Sequence, residues 1–263
     1  MKVLVTGAAG SIGTVVCTGL VDRGHEVVGF DRVPEPAGFV GRWFTGDCAD
    51  PEAVGSCFTE HDPLEAVVHL AGIPDEAPLP EQMTSHVFTT AALLDAMVAH
   101  GVRRIVYASS NHAVGLTPRR DVVGVDALPR PDSFYGVAKV AAEALLQLYV
   151  DRHGLDAIAP RIGSFLPAPE TVRHLSTWLS HDDAVRLVEA GLTAPDPGFA
   201  VLYGISANTR AWWDLEPGRQ LGYEPQDDAE TFAASVSERP EDDEEGAYVG
   251  GPFVDERFHR PAL

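Results

Sequence analysis

Lysine is nearly absent from this chain. Lys2 and Lys139 are its two copies in 263 residues, against 39 Asp and Glu. The formal net charge is −20, and a field of that sign repels nucleic acid and anionic membrane surfaces. Neither is expected as a partner. Cysteine is also scarce. Cys17, Cys48 and Cys57 are odd in number and have no metal-ligand spacing, which excludes a disulfide framework and leaves no metal site to expect. They read as reduced thiols in a cytoplasmic protein. No apolar run is long enough to span a bilayer. The first apolar strand begins at Lys2, so no signal peptide is expected. The acidity has two readings that the composition leaves open. One is adaptation to high salt, where screening relieves self-repulsion. The other is a genome that codes arginine in place of lysine.

What is present is chemistry in a fixed order. Lys2–Thr6 is a short β-branched run leading into Gly7-Ala-Ala-Gly10-Ser11-Ile12-Gly13 and a helical pattern that ends at Gly24. That is strand, glycine turn, helix. Glycines let the backbone turn tightly against a pyrophosphate, and the helix N-terminus attracts its charge. A second strand, Glu26–Phe30, ends in Asp31, 18 residues beyond Gly13. A carboxylate there accepts hydrogen bonds from a ribose 2′-hydroxyl and repels a 2′-phosphate, so NAD is favoured over NADP. Arg32 follows and softens that preference. Tyr135 and Lys139 stand one helical turn apart and share a face. A lysine held beside a tyrosine favours the phenolate. The pair can take a proton from an alcohol while hydride leaves the same carbon. With so little lysine in the chain, one at this spacing is hard to treat as incidental.

Strands and helices then alternate. A short strand at Arg42–Thr45 precedes Asp47-Cys48, and Leu64–Leu70 reads as a doubly buried strand ending in Leu70-Ala71-Gly72. Gln82–His100 reads as helical, Arg103–Ala108 as a strand, Phe134–Arg152 as the helix carrying Tyr135 and Lys139, and Leu155–Ile162 as a further strand. The alternation implies an α/β protein built on a parallel sheet with helices on both faces. The glycine loop, Asp31, Asp47, Gly72, Ser110 and Gly163 all fall at strand carboxyl ends, where ligands of such sheets bind. Beyond Gly163 the pattern thins. A helix Asp182–Ala190, a strand Ala200–Gly204 and the pair Trp212-Trp213 read as a small cap, with the tryptophans as packing. The acidic tail, Glu224 to Glu245, reads as partly ordered and solvated, with Glu241–Glu245 as loop.

Gly7-x-x-Gly10-x-x-Gly13, Asp31, Ser110 and Tyr135-x-x-x-Lys139 resemble the extended short-chain dehydrogenase/reductase superfamily over residues 1–165. Within it, the chain is similar to the uronate dehydrogenase family to about residue 225. That closer likeness rests on Ser109-Ser110-Asn111-His112, Tyr135–Lys139, Arg161-Ile162-Gly163-Ser164, Leu175–Asp183, Gly204–Asn208 and Trp212-Trp213-Asp214. The resemblance implies a Rossmann-type doubly wound sheet with a small C-terminal substrate-binding cap. It divides the chain into an NAD-binding domain (1–163), a cap region (164–225) and an acidic extension (226–263). It implies NAD-dependent oxidation of a hexuronate such as glucuronate or galacturonate at C1, and a homo-oligomer. Tyr135 is then the base, Lys139 its pKa-lowering neighbour, and Ser110 a partner of the reacting hydroxyl. Gly7, Gly10, Ser11, Ile12, Gly13, Asp31, Asp47, Cys48, Leu70, Ala71, Gly72, Ile162, Tyr135 and Lys139 would hold the cofactor. Asn111, His112, Ser164 and Arg173 join Ser110 and Tyr135 on the substrate, with Arg173 facing its carboxylate.

Two positions depart from the family. Pro74 replaces a serine common near the substrate, and His86 replaces an asparagine that braces the active-site backbone. Both place substrate preference in question, and His86 could couple activity to pH. Two other functions compete: a nucleotide-sugar epimerase or dehydratase on the same scaffold, and a non-catalytic NAD-binding regulator. The first needs room for a nucleotide, and the second has no need of Tyr135, Lys139 and Ser110 together.

Overall fold

The computed structural model describes residues 1–120 and 122–263. The chain opens with β1 (Lys2–Thr6), α1 (Ser11–Asp22), β2 (Glu26–Asp31), β3 (Arg42–Thr45), α2 (Pro51–Glu60) and β4 (Ala66–His69). A short α3 (Leu79–Gln82), a π-helical turn (Met83–Phe88) and α4 (Thr89–His100) follow. Then come β5 (Arg104–Tyr107), β6 (Ser109–Ser110), a 3-10 turn (Asn111–Val114), α5 (Phe134–His153) and β7 (Asp156–Ile162). The last part holds β8 (Ser164–Phe165), α6 (His174–Thr177), β9 (Trp178–Leu179), α7 (His181–Thr193), β10 (Phe199–Gly204), α8 (Glu216–Gln220) and α9 (Asp242–Glu245).

Eight strands form one parallel sheet in the order β10-β7-β5-β4-β1-β2-β3, with β6 beside β7. Alternation along β1 sends Val3 and Val5 to one face and Leu4 to the other. Val3 and Val5 pack with Val16 and Leu20 of α1 and Val188 and Leu192 of α7. Leu4 packs with Val54, Leu93, Leu94 and Leu146 from α2, α4 and α5. Both faces are covered, which is why the strands read as unbroken apolar runs. From β1 the chain builds outward to β3, then returns to lay β4 on the other side of β1. That reversal opens a crevice at the carboxyl ends of β1 and β4.

Three expectations change. The strand expected in the cap, β10, is the edge of the main sheet, paired with β7 from Phe199↔Ala157 to Gly204↔Ile162. Helix α7 belongs to the layer on α1. Gln82–His100 is helical as expected, with a π-helical turn at Met83–Phe88 inside it. The tail from Glu224 to Glu245 is partly ordered and mostly exposed or half-buried, as expected, with Ala229 buried within it. Val249 is fully buried, and Glu241–Glu245, expected as loop, contains α9. Trp212 and Trp213 are buried packing as expected, Trp213 stacking on Tyr203 with centroids 5.0 Å apart. The three cysteines are free and buried, and burial pushes each thiol up to about 12.

Candidate functional site

The glycine loop lies where β1 feeds α1. Gly7 has φ +68, and a Cβ there would meet the Ala71 backbone nitrogen at 2.7 Å. A Cβ on Gly13 would run into the Gly7 carbonyl oxygen. Gly10 donates its N–H to that carbonyl at 3.0 Å. Helix α1, entered through Ser11 and Ile12, has no side-chain cap and no acidic residue in its first turn. Its exposed N–H groups and dipole suit an anion. Asp31 closes β2 and faces this loop: Oδ2 accepts from Ala9 N at 3.0 Å and Oδ1 from Val33 N at 3.3 Å. Asp47 follows β3 and accepts from Ala49 N at 2.8 Å, with Cys48 buried beside it. Leu70 N bonds Thr6 O, and Ala71 N bonds Thr6 Oγ1, which pins the Leu70-Ala71-Gly72 turn to the loop. Ile162 pairs with Ser110. These residues frame one crevice, with a turn for a pyrophosphate and a carboxylate for a ribose, so they fit a dinucleotide.

The catalytic candidates share the same edge. Ser133 caps α5 by accepting from Gly136 N at 3.1 Å. A Cβ on Gly136 would collide with the His112 carbonyl, so glycine lets α5 close on the 111–114 turn. Lys139 Nζ donates to Ala108 O at 2.6 Å and lies 5.3 Å from the Tyr135 ring centroid. Burial pulls the Lys139 ammonium down to about 7, with Glu143 pulling it back up. Burial pushes the Tyr135 phenol up to about 12; a hydrogen bond with Ser110 opposes this and Asp132 adds to it. The expected lowering of Tyr135 by Lys139 is therefore absent in this state. Desolvation of both groups outweighs their mutual effect. Behind Lys139, Glu143 pairs bidentately with Arg161 at 3.0 and 2.8 Å and accepts from Ser109.

The substrate-side candidates meet under the C-terminal tail. Asn111 Nδ2 donates to Val249 O at 3.0 Å, and Arg173 Nη2 donates to the same carbonyl at 2.6 Å. Arg173 Nη1 also reaches Ser164 Oγ at 3.5 Å and Thr177 Oγ1 at 3.4 Å. Its Nε is buried without a partner. Among the described residues Arg173 has no carboxylate partner, and burial pulls its guanidinium down to about 10. His112 packs under Phe253, centroids 4.3 Å apart, and edge-on to Tyr135. So Ser110, Asn111, His112, Tyr135, Ser164 and Arg173 form one cluster. Asn111 differs from expectation in spending its amide on the tail backbone.

His86 is held neutral near neutral pH, which argues against a role as a pH switch. Its Nε2 donates to Ile73 O at 3.0 Å, its ring meets Tyr135 edge-on at 5.2 Å, and burial with the Lys139 charge holds its pKa down to about 2. It braces the loop carrying Pro74 in its neutral form. Ser85 supplies a hydroxyl there, but spends it accepting from Ile73 N at 2.7 Å.

Four participants escape the sequence reading. Glu76 accepts from both Phe134 N and Tyr135 N at 3.0 Å, capping the catalytic helix from 58 residues away. Asp132, Val249 and Phe253 complete the substrate side. Only the Ser133 cap, a serine just before an apolar helix, carries a local signal.

Comparison with known proteins follows the same geometry. The model of the NAD dependent epimerase/dehydratase family matches residues 3–188. A uronate dehydrogenase of Agrobacterium fabrum is 40% identical, covering 97% of this chain and 97% of its own. The crystal structure of uronate dehydrogenase from Agrobacterium tumefaciens superposes with a TM-score of 0.90 at 38% identity, covering 100% of this chain and 98% of that one. A glucuronic acid dehydrogenase structure from Chromohalobacter salexigens gives 0.89 at 36% identity, with 96% of each chain covered.

Proposed function

The chain belongs to the NAD dependent epimerase/dehydratase family, and from that premise we propose that it oxidises a free hexuronate, glucuronate or galacturonate, at C1 with NAD+. The observation that carries the substrate is Arg173. It is a guanidinium with a buried, unpartnered Nε and, among the described residues, no carboxylate at ion-pair distance, Glu245 and Asp132 acting on it only from further away, in a chain of net charge −20. Arg161, the arginine most shielded from solvent among the described residues, is by contrast paired with Glu143. A buried cation left unpaired is costly. A substrate carboxylate answers that cost, and the planar fork of arginine matches it.

The chemistry follows from the residues. Bound NAD+ supplies the hydride acceptor and a cationic ring in the crevice. Ser110 holds the C1 hydroxyl, and Tyr135 Oη takes its proton as C1 becomes a carbonyl. The hemiacetal thereby becomes a lactone. Tyr135 needs positive charge close by to act as a base, because burial alone disfavours its phenolate. Lys139, anchored on Ala108 O, supplies part of that charge. Asp31 accepts from a ribose hydroxyl and disfavours a 2′-phosphate, which makes NAD the preferred form. Homo-oligomeric assembly belongs to the same proposal.

The test is a spectrophotometric screen of uronates, neutral aldoses and nucleotide sugars with NAD+ and NADP+. Uronates with NAD+ are expected to give stoichiometric NADH. Interconversion of a nucleotide sugar without NADH accumulation, and no turnover of uronates, would reassign the chain to an epimerase.

A further inference from the structure

Asp132 stands just before α5, outside every group named so far for the cofactor or the reacting carbon. Its side chain has 0% exposure. A buried carboxylate is costly unless its oxygens are bonded. Here both are. Oδ1 accepts from the Ser133 hydroxyl at 2.8 Å, and Oδ2 accepts from His112 Nδ1 at 2.8 Å. The backbone around it is shaped as a slot. A Cβ on Gly115 or on Gly250 would overlap Oδ2. Gly115 comes from the turn after His112 and Gly250 from the C-terminal tail, and Gly250 N bonds Gly115 O at 2.9 Å. Three distant segments thus close on one carboxylate, and its position is set to a single geometry.

The consequence falls on His112. A carboxylate oxygen only accepts, so Nδ1 of His112 carries a proton. A neutral imidazole protonated there leaves Nε2 as a lone-pair acceptor. Phe253 packs against the ring at a tilt of 43° and Tyr135 lies edge-on to it at 71°, so the ring is held from two sides as well. Among the described residues no protein group bonds Nε2. We propose that Asp132 is a positioning residue for sugar recognition: it holds His112 in the Nδ1–H tautomer, with Nε2 as acceptor for a hydroxyl of the bound sugar acid. This deepens the uronate reading and rests on it for the identity of the ligand. It selects for a hydroxyl that can donate at that point, and against a deoxy or methoxy analogue there.

The nearly isosteric Asp132→Asn separates this role from packing. An amide can turn its NH2 toward Nδ1, which moves the imidazole proton to Nε2 and turns the acceptor into a donor. In the ligand-free protein with 15N-labelled histidine, His112 is identified by the signals lost in His112→Gln. At neutral pH its Nδ1 is expected at a protonated-type shift and its Nε2 at an unprotonated one. In Asp132→Asn the two are expected to exchange. With glucuronate, Asp132→Asn is expected to raise KM roughly tenfold or more, as for a site built around a substrate hydroxyl, while kcat changes less. In a His112→Ala background the same substitution is expected to raise KM no further, its loss of support for Ser133 and its effect on Tyr135 falling on stability and kcat. An Nε2–H tautomer in the unaltered protein overturns the proposal without any variant having to fold. Additive rises in KM in the double variant overturn it too, since Asp132 would then act independently of His112. If the unaltered protein fails to turn over any uronate, the functional reading falls and the sugar falls with it. The spectrum decides the tautomer in either case.

Discussion

Tyr135, the proposed base, lies in a place that opposes its ionisation. Burial raises its phenol to about 12 and lowers the Lys139 ammonium to about 7. Both shifts have the same cause, the loss of water around a charge. The phenolate is therefore populated only as pH rises, and oxidation is expected to accelerate from pH 7 toward 10. Tyr135→Phe removes the proton acceptor and leaves the glycine loop and Asp31 untouched. NADH formation from glucuronate is expected to drop by about 10²–10⁴-fold, with NAD affinity, followed by calorimetry, nearly unchanged; sustained turnover would reassign the base. Arg173→Ala is expected to act mainly on KM. A charged hydrogen bond is worth about 1.5–3 kcal/mol, roughly ten- to a hundredfold in uronate KM, with a smaller effect on neutral aldoses. An equal effect on neutral sugars would mean that Arg173 serves the tail through Val249 O and not the substrate. At this scale the sequence was legible wherever chemistry sits at short spacing. Gly7, Gly10, Gly13, Asp31, Tyr135 and Lys139 are residue types whose order alone states a task. Asp132 and Glu76 were not legible, because each acts across a gap in sequence and an isolated acid among 39 carries no signal.

At the scale of elements, α5 is held at its N-terminus by three groups from two places. Ser133 is a local cap and Asp132 supports it, while Glu76 reaches in from the loop after β4. Its carboxylate meets the orphan N–H groups of Phe134 and Tyr135 and faces the positive end of the helix. The loop bearing Pro74 and the helix bearing Tyr135 are thereby one mechanical unit. Glu76→Gln keeps the size but turns an NH2 toward a backbone N–H. Stability to urea is expected to fall by about 1–2 kcal/mol and kcat to fall with it. Unchanged kcat would uncouple the cap from the alignment of Tyr135. The π turn at Met83–Phe88 works on the same loop. It sets His86 against Ile73 O and Tyr135, and a Cβ on Gly72 would meet the His86 ring at Cε1. Gln82–His100 was legible as helical but the π turn inside it was not, because the apolar pattern there is continuous and one widened turn leaves little trace in a periodicity. The placement of β10 was missed for a related reason. An edge strand after a helix has the same local pattern in a cap as in a sheet, and only its pairing with β7 decides.

At the scale of the whole molecule, neutral histidines are sealed inside a strongly acidic chain. His69 is held down to about 3, His86 to about 2 and His174 to about 4, each chiefly by burial. The folded protein keeps them unprotonated, while the unfolded chain protonates them near 6.5. Their depressed values mean that the unfolded state gains protons first as pH falls. Stability is then lost progressively below 6.5, down to about 4 for His174 and further for the other two. Each group contributes at most about 1.4 kcal/mol per pH unit in that window, with the fully buried His69 and His86 contributing most and the half-buried His174 less. The net charge of −20 pulls the other way, since protonating carboxylates relieves self-repulsion. That relief begins mainly where carboxylates titrate, near 4, so the histidine effect stands alone between pH 6.5 and 5. Urea midpoints at pH 7, 6 and 5 are expected to fall steeply, and repeating the series in molar salt separates the two forces. Salt screens repulsion between surface charges and lifts the midpoint at every pH. It does not hydrate a buried imidazole, so the slope is expected to persist. A slope that vanishes in salt would assign the acid lability to surface charge and leave the buried histidines without a part in it.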